Sequence, residues 1–146
     1  MEKLSAELRS NYRHFQTITS RWMDNDAYGH VNNVVYYSFF DTVVNAFLVE
    51  KGVLDIERSP VIGLVIESHG NYFAPLALPE AIEAGLRIAK IGNSSVRYKI
   101  ALFRRGEQAE ATQGHFVHVY VARASRRPAA LPQALREELQ PLLHAY

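Results

Sequence analysis

Twelve of the sixteen residues from Val34 to Val49 are apolar, and no other feature of the chain limits its fold as tightly. Their β-branched and aromatic content suits a strand, but sixteen residues without a turn signal far exceed the common strand of about five or six. The polar residues decide the matter. Ser38, Asp41, Thr42 and Asn45 make one narrow stripe on a helix and would scatter over both faces of a strand. Gly52 then supplies a stop. A helix apolar over most of its girth has to be enclosed by protein or lipid. This run is shorter than the about 20 residues that span a bilayer and carries Asp41 near its middle, so the enclosure is protein.

Most of the remaining chain reads as strand. The pattern predicts strands at His14–Met23, Val61–Phe73, Ala81–Ile91, Ser95–Arg105 and Ala109–Val121, broken by Pro75 with Pro79, by Gly92 with Asn93, and by Gly106. Short connections make the last three antiparallel neighbours. In Val61–Phe73, Leu64, Ile66, Ser68 and Tyr72 fall on one face and Glu67, His69 and Asn71 on the other, which predicts a half-buried strand. The expected class is α+β: an antiparallel sheet of about five strands wrapped around one long central helix. A short helix is predicted over 132–143, where Leu135, Leu139 and Leu142 follow Pro132 at helical spacing and Pro141 ends or bends it. Residues 1–13 form an N-terminal extension. With 146 residues, 48% of them apolar and 21% charged, a single domain over 1–146 with a substantial core is expected and a disordered chain is excluded. One helix covers one sheet face only, so a second copy of the chain is the expected partner, as a dimer or tetramer.

Sixteen basic against fifteen acidic residues leave a net charge of +1, which gives no general field for nucleic acid or an anionic membrane, and neither is expected as a partner. The absence of cysteine removes disulfides, thiolate catalysis and cysteine-ligated zinc. Charges run through Met1–Arg9, where a secretion signal needs an apolar core, so a cytoplasmic location is expected.

Chemistry concentrates at Arg21–Tyr36, ahead of and into the predicted helix, with Asp24, Asp26, His30, Asn32 and Asn33 close together. A helix N-terminus carries a partial positive charge of roughly +0.5 and unpaired N–H groups, so it can stabilise an oxyanion beside a loop carboxylate. Asp and Asn before a helix serve equally as caps or Asx turns. Calcium fits poorly: Asp24, Asp26 and Gly29 match an EF-hand loop, but its twelfth position is Val35, which leaves the bidentate carboxylate missing. Zinc needs three or four ligands, and His30 has no such neighbours.

The run Asp24-Asn-Asp26-Ala-Tyr-Gly29-His30-Val-Asn32-Asn33-Val-Val-Tyr36 resembles the signature of hotdog-fold acyl-CoA thioesterases of the 4-hydroxybenzoyl-CoA thioesterase-like group. Weaker matches continue in order through Tyr72-Phe-Ala-Pro75-Leu, Ile91-Gly92-Asn-Ser94-Ser95 and Arg127-Pro128-Ala-Ala-Leu-Pro132. Pro79-Glu80 departs from the Gly-Asp turn of many members. The resemblance implies a hotdog fold, no cofactor and no metal, and hydrolysis of an acyl-CoA or related acyl thioester to free acid and thiol. It implies Asp26 as the catalytic carboxylate, the backbone N–H near Asn33 as oxyanion donor, and His30, Gly29 and Asn32 as supports of the loop and substrate. Tyr36 would line the acyl pocket, with Tyr37, Phe39 and Phe40 beside it. Ser94 and Ser95 would meet coenzyme A across a subunit boundary, or form an ordinary polar turn.

A thiol with a pKa near about 8.5 leaves largely as thiolate, so the enzyme needs a nucleophile and oxyanion stabilisation more than a general acid. Asp26 serves either as nucleophile or as general base. Two other readings stay open: a dehydratase or hydratase that pairs His30 with Asp26, and a non-catalytic acyl-CoA binding module. Asp41, and Glu67 with His69, are secondary carboxylate sites or plain structural contacts. Arg123, Arg126 and Arg127 form a solvated connector or attract the phosphates of coenzyme A.

Overall fold

The computed structural model describes residues 6–19, 25–31, 33–76 and 81–143. Five strands, β1 (His14–Thr19), β2 (Val61–Tyr72), β3 (Ala81–Ile91), β4 (Ser95–Arg104) and β5 (Thr112–Ala122), form one sheet in the order β1-β3-β4-β5-β2. All neighbouring pairs are antiparallel. The helix α1 (Asn33–Glu50) packs on one face, and the short α2 (Gln133–Leu139) follows β5. This is the predicted α+β sheet around a helix. The continuation of β1 to Met23 and the Pro79-Glu80 turn lie outside the described residues. β5 starts later than expected because residues 109–111 bond elsewhere: Glu110 N–H donates to the Glu7 carbonyl, and the Ala111 carbonyl accepts from Phe73 and Ala74.

Burial explains the helix. Phe40, Val43, Val44 and Phe47 are at most 1% exposed and meet Leu86, Ile88, Ile100 and Leu102, each wholly buried. Phe39 and Phe40 therefore belong to the core and not to a pocket, which corrects the sequence expectation. Ser38, Asp41 and Thr42 face outward as the polar stripe requires. The enclosure is incomplete within one chain, since Val34, Tyr37 and Val49 remain exposed. Gly52 ends the last turn at a φ of 72°. α2 buries Leu135 and Leu139 and tightens to a 3-10 turn at Gln140–Leu142, because Pro141 has no N–H to continue the α ladder.

The expected half-burial of the second strand needs correction. β2 carries a bulge between Val65 and Glu67, which reverses the alternation there. Val65 and Ser68 consequently pair with His118 and Phe116 on the helix side, whereas Leu64 shares the outer face with Glu67 and His69. As an edge strand that α1 does not cover, β2 is exposed from Leu64 through His69 on both faces, not half buried. The outer face of the sheet is partly filled within one chain. The chain's own N-terminal segment covers part of it: Tyr12 packs on Ala101 and Phe103, and Glu7 Oε1 bonds Arg87 and Lys99 at 2.8 Å each. Tyr12 donates to Glu7 Oε2 at 2.8 Å, and Glu7 N–H donates to Glu110 at 2.8 Å. No helix among the described residues is long and apolar enough to cross a membrane.

Glu110 is the pressure point of that contact. Burial, 2% exposure, pushes its carboxyl up from 4.5 to about 7, and the nearby Glu7 charge adds to it. The folded state therefore favours the protonated form, so this stabilisation is complete below pH 4.5 and lost as pH rises through 7. Glu110→Gln removes that dependence. Denaturant unfolding is expected to show the wild type losing on the order of 3 kcal/mol relative to the variant between pH 4.5 and 8; parallel profiles would contradict it.

Candidate functional site

Between β1 and α1 the backbone closes a small loop. Asn25 and Val31 form an antiparallel bridge, Asp26 N–H donates to the His30 carbonyl at 2.6 Å, and Gly29 N–H donates to the Asp26 carbonyl at 3.1 Å. The Asp26 side chain completes it, its Oδ1 accepting from Tyr28 N–H at 2.8 Å and His30 N–H at 3.3 Å. This is an Asx turn extended by one bond, so the turn expected as a plain alternative is present. Gly29 has a φ of 78°, a conformation open to glycine at little cost. Val31 N–H then donates to the Leu76 carbonyl at 2.7 Å, which ties the loop to the segment after β2. Arg104 holds that segment through the Pro75 carbonyl at 2.6 Å.

The turn does not close the site. Asp26, His30 and Tyr36 line one cleft of about 370 Å³ with Tyr72 and Pro75. α1 starts at Asn33, two residues after the bridge, and first-turn N–H groups of a helix point back along its axis towards the entering chain. A carboxylate, a cleft and a helix N-terminus thus meet within eight residues of sequence. Tyr36 is 4% exposed; burial pushes its phenol up, and the negative Asp26 adds to the effect. Its ring stands edge-on to Tyr72, 4.9 Å between centroids. The cleft thus sets the Asp26 carboxylate and the His30 ring beside the aromatic rings of Tyr36 and Tyr72.

The matching family model describes the thioesterase-like superfamily and aligns with residues 20–139. The chain belongs to that superfamily. Among similar solved structures, the PA5185 protein of Pseudomonas aeruginosa is 56% identical, with a TM-score of 0.93 over 97% of this chain and 99% of that one. PA2801, also from Pseudomonas aeruginosa, is 28% identical, with a TM-score of 0.77 over 85% and 95%. Slr0204 of Synechocystis, a 1,4-dihydroxy-2-naphthoyl-CoA thioesterase, is 16% identical with a TM-score of 0.79 over 89% and 97%, a likeness of fold. The sheet around α1 is thus the hotdog fold of thioesterases.

The remaining site residues fall less tidily. Asn32 lies outside the described residues, and Asn33 is located by its backbone alone. Ser94 and Ser95 sit in the β3–β4 turn, where the Ser94 carbonyl accepts from Tyr120 and the Ser95 carbonyl from Gly92; neither lines the Asp26 cleft of the same chain. Asp41 is exposed. Glu67 contacts His115 at 3.4 Å and Arg97 at 3.8 Å, while His69 stacks on His115. Arg123 is committed to the Ser59 and Ile56 carbonyls, each at 2.7 Å, and so braces the loop before β2. The cleft wall Tyr72–Pro75 had only one signal in the sequence, the weak Tyr72-Phe-Ala-Pro75 match.

Gly29→Ala isolates the loop's backbone requirement, because nothing lies within 4 Å of the added Cβ. Chemical denaturation is expected to show a loss of about 1 kcal/mol, and an unchanged midpoint would contradict the assigned turn.

Proposed function

We propose that this chain hydrolyses an acyl-CoA, or a related acyl thioester, to a carboxylic acid and a thiol, with Asp26 as the reacting carboxylate. The observation that carries this reading is the single cleft shared by Asp26, His30 and Tyr36 at the entrance of α1. In the step, the carbonyl oxygen takes up charge against the first-turn N–H groups near Asn33. Asp26 either adds to the carbonyl carbon, giving an anhydride that water opens, or takes a proton from the water that adds. The C–S bond breaks with its electron pair on sulfur, and the thiolate later takes up a proton. The turn through Tyr28 and His30 holds the Asp26 side chain in one orientation, which spares the reacting geometry an entropic cost. Gly29, His30 and Asn32 act through the loop. Tyr36 lines the space for the acyl group, an apolar one by the aromatic character of the cleft.

The same reading takes 1–146 as one domain of a cytoplasmic homo-oligomer. The exposed edge strand β2 supports self-association, since Leu64, Val65 and Ile66 are 40%, 45% and 64% exposed beside unpaired backbone. Ser94 and Ser95 would meet coenzyme A from a second subunit. Thiol release over a panel of alkyl- and aryl-CoA substrates tests the activity. Asp26→Asn is expected to lower kcat about 10²-fold to 10⁴-fold with a small change in KM, and near-wild-type turnover would remove Asp26 from the mechanism. Ile66→Lys places a charge on the edge and is expected to shift the mass by light scattering towards the monomer; an unchanged mass would count against association through β2.

A further inference from the structure

A second cavity, about 670 Å³ and larger than the Asp26 cleft, opens along the second half of α1 between that helix, the start of β2 and the end of β5. None of the residues lining the Asp26 cleft lines it. Leu48, Leu54, Val61 and Leu135 give it apolar walls, and its volume is in the range of small-molecule sites.

One buried polar group in its wall is unaccounted for among the described residues. Tyr120 is paired with the Tyr98 hydroxyl at 2.5 Å, Asn45 donates to the Asp41 carbonyl at 3.0 Å, and Arg123 is spent on the loop carbonyls. His118 is 3% exposed, and neither of its ring nitrogens has a hydrogen-bond partner among the described residues. Buried polar atoms are nearly always paired, so two open positions on one ring call for an occupant. Gly63 lets the His118 and Tyr120 rings lie close on the β2 backbone, since an added Cβ would stand 2.9 Å from His118 Nδ1 and 3.0 Å from the Tyr120 ring.

We propose that this chamber binds a neutral, largely apolar ligand whose hydroxyl group hydrogen-bonds His118. Burial pushes the imidazole down to about 4, with the Asp41 charge opposing, so at pH 7 the ring is neutral with one donor and one acceptor. A hydroxyl suits whichever ring nitrogen faces the ligand, since it can donate to the bare nitrogen or accept from the protonated one. A carboxylate only accepts, and it would enter beside Asp41, with the Arg123 guanidinium already hydrogen-bonded to the loop carbonyls. The site stands apart from the thioesterase reading, because binding without turnover reports on it.

Calorimetric titration of the intact protein at pH 7 with 2-naphthol, naphthalene and 2-naphthoate tests the assignment. 2-Naphthol is expected to bind about tenfold more tightly than naphthalene, as one neutral hydrogen bond allows, and 2-naphthoate most weakly. His118→Phe is expected to level 2-naphthol with naphthalene, Gly63→Val to abolish both, and Asp26→Asn, in the other cleft, to leave both affinities as they were. The unsubstituted protein with ¹⁵N-labelled histidine gives an independent reading, in which 2-naphthol shifts the His118 ring nitrogens. Equal affinities for 2-naphthol and naphthalene, a preference for 2-naphthoate, an unmoved His118 signal, or loss of binding in Asp26→Asn would each overturn the proposal.

Discussion

The enclosure of α1 by β3, β4 and β5 is the interaction on which the rest of the molecule depends. Phe40, Val43, Val44 and Phe47 are hidden almost completely, and fully burying such side chains is worth about 1.5–3 kcal/mol each. The approach is close enough that a side chain on Gly114 of β5 would run into the Phe40 ring and the His69 carbonyl. Once the helix is seated, its N-terminus has a fixed place. Two of its recesses follow from that one placement: the Asp26 cleft at the helix entrance and the His118 chamber along its second half. On α1 the cleft reaches Tyr36 and the chamber begins at Asp41, five residues or about 7.5 Å further along the axis.

The polar chemistry divides by sheet face. On the outer face, burial pushes Glu7 up, but its bonds to Lys99, Tyr12 and Arg87 outweigh this and hold it below its ordinary value, while Glu110 next to it is raised. That network fastens the N-terminal segment over the sheet and takes no part in the cleft. On the inner face the aromatic packing is tight, and His118 and Tyr120 are the polar groups of β5 turned into the chamber. Glycine at 63 and 114 lets rings pass close to the backbone on that same face.

The sequence made the helix legible because sixteen residues with a single polar stripe have few other solutions, and the strand count followed from turn signals at Gly92 and Gly106. The bulge in β2 was not legible. Nothing in Val65-Ile66-Glu67 announces an extra residue, and a one-residue shift exchanges the faces, so Leu64 was assigned to the wrong side. Phe39 and Phe40 were read as pocket because periodicity gives the apolar arc of a helix but not which part of it meets the sheet. The turn through Asp26, Gly29 and His30 is legible because a turn and a helix start are local in sequence. Tyr72–Pro75 and the Arg123 brace were missed as partners because their contacts join residues some 40 to 70 positions apart, where no local pattern records them.

The central claim is geometric: a thioester carbonyl seats at the entrance of α1, against its first-turn amides and beside Asp26. A crystal structure of the protein with a non-hydrolysable acyl-CoA analogue tests it directly. The account predicts the carbonyl oxygen about 3 Å from a first-turn N–H and the carbonyl carbon within about 3.5 Å of the Asp26 carboxylate, or separated from it by one water. An analogue whose carbonyl sits elsewhere, with Asp26 serving its turn and touching neither the ligand nor such a water, would contradict it.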